Sequence, residues 1–302
     1  MNEARDIPER GTGFDRTLTF TVPPRHARGR VVRLGPVLGE ILAAHDYAPP
    51  VKHLLAEALM LTAMLGSLAK EDGSQLTLQA QAKGGVVSLL VCDYRDGDLR
   101  GYAEYDAERL AEIGANPSLP ALFGEGYLAI TYDMPVTDGR YQGIVPLEGE
   151  SLSAACEEYF GRSEQVPTLI RAAVRSSASE VIAGGLLVQH FPEGEEGQAR
   201  LHVKDEHPEW EHVSVMAGST RYDELVDPSL ELEQLVWRLF HEEDEVRVDW
   251  GRPLARGCRC TGEHYADVLG RFPEAERAEM RDESGNIVVD CAFCSKKFSI
   301  AI

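Results

Sequence analysis

Four cysteines near the C-terminus form the residue pattern in this chain that is best suited to chemistry. They make two pairs, Cys258-Arg-Cys260 and Cys291-Ala-Phe-Cys294, separated by thirty residues. Two closely spaced thiol pairs give Zn²⁺ the four soft ligands that it prefers in structural sites. Each pair could also close into a local disulfide. The same four sulfurs can therefore hold a metal or store oxidation, but not both at once.

The number of cysteines indicates whether the metal site is structural or catalytic. Four thiolates leave no coordination position for an activated water, so the pattern predicts a structural zinc and not a catalytic one. The basic residues that flank the ligands are expected to keep the free thiols acidic. They are Arg256, Arg259, Lys296 and Lys297. Two interpretations stay open on spacing alone, an inert zinc module and a redox-responsive site. The Cys-x-Cys pair favours the second, because oxidising one thiolate removes a metal ligand.

Composition and charge exclude several classes of protein. The 302 residues are 43% hydrophobic and 26% charged, with a formal net charge of −20. Such a chain is repelled by phosphate backbones and anionic lipid, so neither nucleic acid nor a membrane is expected as a partner. No apolar run approaches the roughly 20 residues of a membrane span, and residues 1–16 contain no secretory signal. We therefore expect a cytoplasmic protein in a reducing compartment, where paired cysteines indicate metal or redox chemistry.

The pattern of the chain predicts an α+β protein in three parts. Residues 1–192 are expected to form a mixed α/β core domain. An acidic helical linker over 193–249 follows, with 17 acidic and 5 basic residues. Its Gly and Glu residues at 193–197 are expected to form a hinge. A small zinc-binding domain over 250–302 ends the chain. In the core, alternating or continuous apolar runs predict strands at 17–22, 76–80, 86–91, 101–105, 127–132, 143–147 and 181–191, and helices at 36–45, 50–68 and 152–160. Ser151 is expected to cap the last of these helices.

The linker and the C-terminal domain have patterns of their own. A helix is expected from Asp227 as N-cap and Pro228 at its first position, with the apolar stripe Leu232, Leu235, Val236, Leu239 and Phe240. Acidic residues at 242–245 face the negative end of the helix dipole, which predicts a weak helix that depends on docking. Beyond residue 250, helices are expected at 264–271 and 274–282. Strands at 287–289 and 297–302 should pair, which puts Cys291 and Cys294 at the knuckle of a hairpin.

Several longer motifs make the chain similar to the Hsp33 family of redox-regulated chaperones along nearly its whole length. The resemblance begins with Cys258-x-Cys260 and Cys291-x-x-Cys294 at the family's distance. The remaining motifs are Tyr141-Gln-Gly-Ile-Val-Pro-Leu147, Tyr159-Phe160 with Ser163-Glu-Gln-Val-Pro-Thr168, Ala183-Gly-Gly-Leu-Leu187 and Leu235-Val-Trp-Arg-Leu-Phe-His-Glu-Glu243.

The resemblance implies an ATP-independent holdase and not an enzyme. It implies one Zn²⁺ bound in the reduced, inactive state by Cys258, Cys260, Cys291 and Cys294. Oxidation is implied to form Cys258–Cys260 and Cys291–Cys294 disulfides, to release zinc, and to unfold the linker. The active form would bind unfolding client proteins and form a homodimer. We expect the unfolded linker to present an apolar surface to clients, made of Leu232, Leu235, Trp237, Leu239 and Phe240.

Two other classes of function remain as alternatives. A thiol-disulfide oxidoreductase would place Cys291-x-x-Cys294 at a helix N-terminus, whereas the residues that follow predict a strand. An inert structural zinc-ribbon protein, or a ribbon that binds nucleic acid, would keep its metal on oxidation, and the latter would need a basic face. Two further cysteines, Cys92 and Cys156, lie in apolar segments and are expected to be core thiols.

Overall fold

A single long helix, α2 (Pro49–Gly66), lies between two sheets in the computed structural model, which describes residues 13–69, 71–177, 180–191 and 207–302. The sequence of α2 is apolar on nearly every side, and it buries most of its length against strands of both sheets. A helix that is hydrophobic all round is stable only inside a core. The expected α+β fold is confirmed, and the expected linker hinge at 193–197 lies outside the described residues.

Five antiparallel strands form the first sheet, and one of its faces packs on α2. In spatial order they are β10 (Arg247–Pro253), β1 (Arg16–Val22), β2 (Ala27–Leu34), β9 (Val181–His190) and β8 (Thr168–Ser176). The strands expected at 17–22 and 181–191 are confirmed as β1 and β9. The alternation of β1 places Leu18, Phe20 and Val22 on the face opposite α2, where all three are buried.

Six strands form the second sheet on the other side of α2. In spatial order they are β11 (Ala255–Arg256), β5 (Asp98–Tyr105), β4 (Val87–Arg95), β3 (Gln75–Lys83), β6 (Glu125–Met134) and β7 (Gly139–Pro146). The short β11 pairs in parallel with β5, and the remaining neighbours are antiparallel. Leu76, Leu78 and Ala80 of β3 point towards α2, so the polar residues between them lie on the outer face.

Shorter helices close the core domain. They are α1 (Pro36–Leu42), α3 (Ala107–Glu112), α4 (Leu119–Phe123) and α5 (Leu152–Tyr159). The predicted cap of α5 is confirmed, because the Ser151 hydroxyl accepts a hydrogen bond of 3.2 Å from the backbone N–H of Ala154. The two core cysteines, Cys92 and Cys156, are fully buried as expected, and burial raises the pKa of both thiols. Among the described residues, no helix combines the length and the apolar character that crossing a membrane would require.

Three linker helices cover the outer face of the five-stranded sheet: α6 (Pro208–Gly218), α7 (Tyr222–Leu225) and α8 (Leu232–Phe240). The expected start of a helix at Asp227 is wrong, since α8 begins at Leu232 after Glu231. Instead, the carboxylate of Asp227 accepts a hydrogen bond of 2.9 Å from the N–H of Ser229, which closes a local turn. This competing bond uses the Asp side chain that would otherwise cap a helix.

The apolar stripe of α8 packs against the sheet. Leu232, Leu235, Leu239 and Phe240 are buried together with Phe20 and Val31, and the rings of Phe20 and Phe240 lie 5.5 Å apart. By contrast, Trp237 is 65% exposed and stacks on His241. The stripe is therefore covered by the core, as a docked helix requires, and Trp237 is not part of the covered set.

The acidic end of α8 does more than oppose the helix dipole. The carboxylate of Glu243 accepts a hydrogen bond of 2.9 Å from Arg25 and lies 3.0 Å from His212. Arg25 also donates to Glu209 of α6 at 2.6 Å. These contacts tie the ends of α6 and α8 to the turn before β2, so the acidic run supplies an anchor for the docked linker.

A buried arginine fixes the segment between α7 and α8. Arg33 of β2 is fully buried, and its guanidinium donates to the carbonyl oxygens of Leu225, Leu230 and Glu224 at 2.8, 2.7 and 3.0 Å. Burial lowers the pKa of Arg33 from its ordinary value, although the carboxylates of Asp227 and Glu231 act in the opposite direction. One core side chain thus holds three linker carbonyls that would otherwise be unsatisfied.

Strand β10 continues directly from the linker into the core sheet. It pairs with β1 from Thr21↔Arg247 to Arg16↔Pro253, and the indole N–H of Trp250 donates to Glu233 of α8 at 2.7 Å. The domain limits at 192/193 and 249/250 stay predictions. Residues 249 and 250 both lie within β10, so the chain passes that point without leaving the sheet.

His190 of β9 is buried beneath the docked linker. Its side chain is 1% exposed beneath His207 and Trp210, with ring centroids 4.8 and 6.2 Å away. Neither ring nitrogen has a hydrogen-bond partner among the described residues. Burial, together with the nearby rings of His207 and His26, lowers the pKa of His190 to about 4, although Glu209 opposes this.

We expect stability to fall as the pH drops below the ordinary histidine pKa. The unfolded chain takes up a proton near pH 6.5, whereas the folded chain does not until about pH 4, so acid favours the unfolded state. Chemical denaturation at pH 7 and pH 5 should differ by roughly 1–2 kcal/mol from this residue. His190→Phe should remove that difference, and replacement of the exposed His241 by Phe should keep it. An unchanged pH dependence in His190→Phe would contradict the assignment.

Candidate metal centre

The four cysteines come from two turns that the local sequence determines. Cys258 and Cys260 follow β11, immediately after the chain leaves the edge of the six-stranded sheet. Cys291 and Cys294 lie between β12 (Ile287–Asp290) and β13 (Lys297–Ile300), which pair antiparallel from Ile287↔Ile300 to Asp290↔Lys297. The expected hairpin is confirmed. Two backbone hydrogen bonds close its turn, from Cys291 N–H to Lys296 at 3.0 Å and from Ser295 N–H to Cys291 at 2.8 Å.

The turns bring all four sulfur atoms together. The Sγ atoms of Cys258 and Cys260 lie 3.3 Å apart, those of Cys258 and Cys291 3.6 Å, and those of Cys260 and Cys294 3.5 Å. All four lie within 4.8 Å of one another. A tetrahedral zinc with Zn–S distances of about 2.3 Å places its sulfurs roughly 3.8 Å apart. The donor set and its spacing therefore fit a four-thiolate metal site, and the sequence prediction of a metal-binding cluster holds.

Little else holds the surrounding subdomain together. Its helices are α9 (Gly262–Leu269) and α10 (Glu274–Met280). Its buried apolar residues are Leu269, Ile287 and Ile300, with Tyr265 and Phe298 half-buried against them. A cluster of this size buries too little surface to offset the conformational entropy of some fifty residues. A metal joined to both turns would supply the missing stabilisation.

The thiols of the cluster differ in acidity. Burial raises the pKa of Cys291, but the hydroxyl of Tyr265 and the backbone N–H groups of Cys294 and Phe293 stabilise its thiolate and bring the pKa down to about 6. Burial and the neighbouring sulfurs raise the pKa of Cys260, and burial raises that of Cys294. The expectation that flanking basic residues keep all four thiols acidic is therefore wrong. A phenol and the turn backbone favour the thiolate at one of them.

Arg259, which lies between Cys258 and Cys260, contacts the core. The guanidinium of Arg259 donates to the side chain of Gln75 on β3 at 2.8 Å and lies 3.5 Å from the carboxylate of Asp93 on β4. Asp93 in turn accepts a hydrogen bond of 2.7 Å from Arg100. These groups lie on the face of the six-stranded sheet opposite α2.

The second pair of ligands has a matching contact. The ring of Phe293 meets Tyr102 of β5 edge to face, with centroids 4.9 Å apart, and Arg100 lies 4.0 Å above its centroid. Just after Cys294, the hydroxyl of Ser295 donates to the carbonyl of Ala44 at 2.7 Å. The side chains that dock the metal domain thus stand between or beside its ligands. Sequence reasoning missed this role, although an Arg and a Phe inside ligand turns are residues that commonly form interfaces.

The two sets of predicted functional residues contact different sheets. The cysteines lie over the six-stranded sheet, whereas Leu232, Leu235, Leu239 and Phe240 lie beneath the five-stranded one. The chain joins them through β10 and β11, each of which pairs with a core strand. The metal centre and the covered apolar stripe are therefore connected by backbone already paired to the core.

Comparisons with known proteins give matches that cover almost the whole chain. The family model described as Hsp33 protein matches residues 15–301. A 33 kDa chaperonin of Caulobacter vibrioides is 38% identical over 300 residues, covering 97% of each chain. That of Pseudomonas aeruginosa is 36% identical over 287 residues, covering 94% of this chain and 91% of the relative. The solved structure of the 33 kDa chaperonin from Thermotoga maritima has the same fold, with a TM-score of 0.75, 20% identity and 95% coverage of both chains.

We expect the reduced protein to bind close to one Zn²⁺ per chain. Cys291→Ser should weaken zinc binding by orders of magnitude, because it removes one of four ligands and the thiolate that forms most readily. Metal analysis and competition with a chromogenic chelator measure both quantities. The matched control is Cys156→Ala, which removes a buried thiol from the core domain and should leave zinc binding intact. Tight zinc binding by Cys291→Ser would refute the ligand set.

Proposed function

The chain belongs to the Hsp33 protein family, and on this basis we propose that it is a redox-regulated holdase chaperone that works without ATP. The observation that carries the proposal is the docking of the four-cysteine cluster by residues that stand between its own ligands, Arg259 and Phe293. A change in the bonding of the sulfurs must alter the shape of both turns. It therefore acts directly on the contacts between the metal domain and the core.

In the reduced state, Zn²⁺ bound by Cys258, Cys260, Cys291 and Cys294 would keep the two turns in their docked geometry. Bound zinc supplies electrostatic neutralisation of the thiolates and the fixed tetrahedral geometry. The linker helices then stay on the five-stranded sheet and cover the stripe of Leu232, Leu235, Leu239 and Phe240. With this surface buried, the reduced protein would be unable to hold unfolding proteins through the stripe.

Oxidation would convert the thiols of each turn into a disulfide. Peroxide takes two electrons from a pair of thiols, forming one S–S bond and two molecules of water. Pairing within each turn, Cys258 with Cys260 and Cys291 with Cys294, requires the smallest loops. The sulfurs of Cys258 and Cys260 lie 3.3 Å apart, against 3.6 and 3.5 Å for the cross-turn pairs Cys258–Cys291 and Cys260–Cys294, so the short loops and not the distances favour that pairing. Disulfide sulfurs are poor metal ligands, so zinc would leave and the small subdomain would lose its main stabilisation.

Loss of the metal domain would then destabilise the linker. The chain runs from Cys258 back through β11 and β10 to α8, and much of the linker is held by polar contacts, such as those of Arg33 and Glu243. Unfolding would expose the apolar stripe beside many carboxylates, which would keep a client complex soluble. The stripe as client surface, homodimerisation of the oxidised form and a cytoplasmic location complete the proposal.

The hairpin geometry gives no support to a thiol-disulfide oxidoreductase. Catalytic Cys-x-x-Cys motifs gain reactivity from a helix N-terminus. Here Cys294 is followed by Ser295 with a positive φ of 56° and then by strand β13. An inert zinc ribbon is the remaining alternative, and it differs from a switch in keeping its metal and its inactivity under oxidant.

The direct test is suppression of aggregation of a heat-unfolded enzyme, followed by light scattering without ATP. We expect peroxide-oxidised protein at 43 °C to suppress aggregation at a near-stoichiometric ratio, and reduced zinc-bound protein to have little effect. Zinc release and peptide mapping on the same sample should give Cys258–Cys260 and Cys291–Cys294 links. Cys156→Ala should still switch. Oxidised protein that retains zinc and fails to suppress aggregation would show that the module is inert.

We expect Arg33→Met to loosen the linker even in the reduced state. The change removes the hydrogen bonds to three linker carbonyls, two of them buried, and should destabilise the docked linker by about 3 kcal/mol. Hydrogen exchange across 208–240 should rise, and the reduced variant should hold clients in part. Arg30→Met on the same strand is the control, since Arg30 donates to Gly29 and not to the linker. Slow linker exchange in oxidised wild-type protein would refute linker unfolding as the mechanism.

A further inference from the structure

Strand β8 leaves one edge of the five-stranded sheet open. Its one strand neighbour among the described residues is β9. The N–H of His190 donates to Pro167 at 3.1 Å, which makes the 167/190 position a hydrogen-bonded pair. Pairs alternate along an antiparallel ladder, so Ile170, Ala172 and Val174 direct their backbone groups away from β9. Edge strands with free backbone groups are templates for another strand.

One of these outward amides is already used by a side chain. The N–H of Ile170 donates to the carboxylate of Glu157 on α5 at 2.5 Å. The N–H groups of Ala172 and Val174 have no hydrogen-bond partner within the part of the chain that the structure describes. Two adjacent donor positions on one edge are therefore available to an extended chain.

A cavity of about 710 Å³ opens beside this edge. The first turns of α2 and α5 and the segment 115–119 form its walls, and β8 runs along its length from Leu169 to Ser176. Its lining includes the apolar residues Leu54, Leu119 and Leu122. A groove of this size that follows a strand edge fits several residues of extended polypeptide better than a compact ligand.

The charge of the cavity favours a cation. Glu57, Glu150 and Glu157 line it, against His53 and Arg171. The guanidinium of Arg171 is already placed over the ring of Tyr222, 4.7 Å from its centroid. Burial raises the pKa of Glu57 and of Glu157, while backbone N–H groups of Ser153 and Ile170 respectively act against this. A bound ammonium or guanidinium would offset the cost of these buried carboxylates.

We propose that the open edge of β8 and the adjoining cavity bind an extended polypeptide segment that carries a lysine or arginine among apolar residues. The segment adds a sixth strand to the sheet. Its main chain pairs with Ala172 and Val174, its apolar side chains enter the cavity, and its cation meets Glu57 and Glu157. The inference deepens the proposed holdase function, on which its biological meaning rests, because unfolding proteins expose such segments. None of the stripe residues of α8 is among the residues that line the cavity.

The test uses full-length reduced, zinc-bound protein and a synthetic probe. The probe is a fluorescein-labelled nonapeptide of alternating Thr and Val with one central Lys, and binding is measured by fluorescence anisotropy. Two comparison peptides replace the Lys by Glu, or carry N-methyl groups on alternate amides. We expect each of these changes to weaken binding roughly tenfold, because the first removes the cation and the second removes strand pairing.

Variants of the protein locate the site. Ala172→Pro removes an outward N–H without removing a bond to β9, and should weaken binding of the Lys peptide roughly tenfold. Ile144→Pro is the matched control, since Ile144 has the equivalent outward position on β7, the edge strand of the other sheet, and should bind as wild type. Glu157→Gln keeps an acceptor for Ile170 but removes the charge. It should weaken the Lys peptide several-fold and leave a Leu-substituted peptide unchanged.

The outcomes separate this site from the holdase proposal. Circular dichroism and thermal unfolding first check that Ala172→Pro is folded. If it is not, binding of the Lys peptide by Glu157→Gln tests the site instead. Equal binding of the Lys peptide by wild type, Ala172→Pro and Glu157→Gln would overturn the site, whatever the oxidised protein does in the aggregation assay. Loss of binding in these variants would support the site even if oxidised wild-type protein failed to suppress aggregation, which would refute only the holdase function.

Discussion

The convergence of four sulfur atoms is the interaction on which the rest of this structure depends. The C-terminal subdomain buries only Leu269, Ile287 and Ile300 as a core of its own, so its fold must be held by bonds at the two cysteine turns. Structural zinc sites contribute roughly 10–16 kcal/mol of apparent folding free energy in small modules. Under the proposed function, an energy of that size, concentrated at one point and removable by oxidation of the ligands, would make the subdomain an all-or-none element.

The positions of Arg259 and Phe293 connect the cysteine cluster to the core. Arg259 and Phe293 stand inside the ligand turns, and they form the contacts with Gln75 and Tyr102 of the six-stranded sheet. Cys258 follows β11 and β10 along the chain, and both strands pair with core strands. The linker helices precede β10 without a gap in the described chain. Each element therefore depends on its neighbour being docked, which is the condition for a disturbance at the sulfurs to reach α8.

Both apolar and polar contacts attach the linker to the core. Its apolar stripe packs on Phe20, but the most specific contacts are polar: Arg33 with three carbonyls, and Arg25 with Glu209 and Glu243. A buried polar contact stabilises only while every partner is in place, and it becomes a cost when one partner leaves. An unpartnered His190 under α6 adds a further cost to the docked state.

The sequence by itself determined the local features of this protein. Helix α2, the alternating strands β1 and β3, the cap at Ser151 and the cysteine hairpin all follow from nearest-neighbour patterns, and each is found where the pattern predicts it. The motifs shared with the Hsp33 family are also short stretches of sequence, so they indicate the family without any knowledge of long-range contacts. The spacing of the cysteines was sufficient to predict that their sulfurs meet, because two closely spaced thiol pairs are the pattern of a four-thiolate metal site.

Only the tertiary structure decided which surfaces meet. The pairing of β10 with β1 joins residues more than 200 positions apart, and no local pattern encodes a partner at that distance. The same holds for Arg33, whose burial no local pattern indicates, because it depends on three linker carbonyls that fold over it. Asp227 shows the converse, since a turn with Ser229 won over the helix cap that its type and the following proline predicted. Long-range pairing and competition among alternative hydrogen bonds are settled by the whole chain, because their free energies depend on neighbours that folding alone brings together.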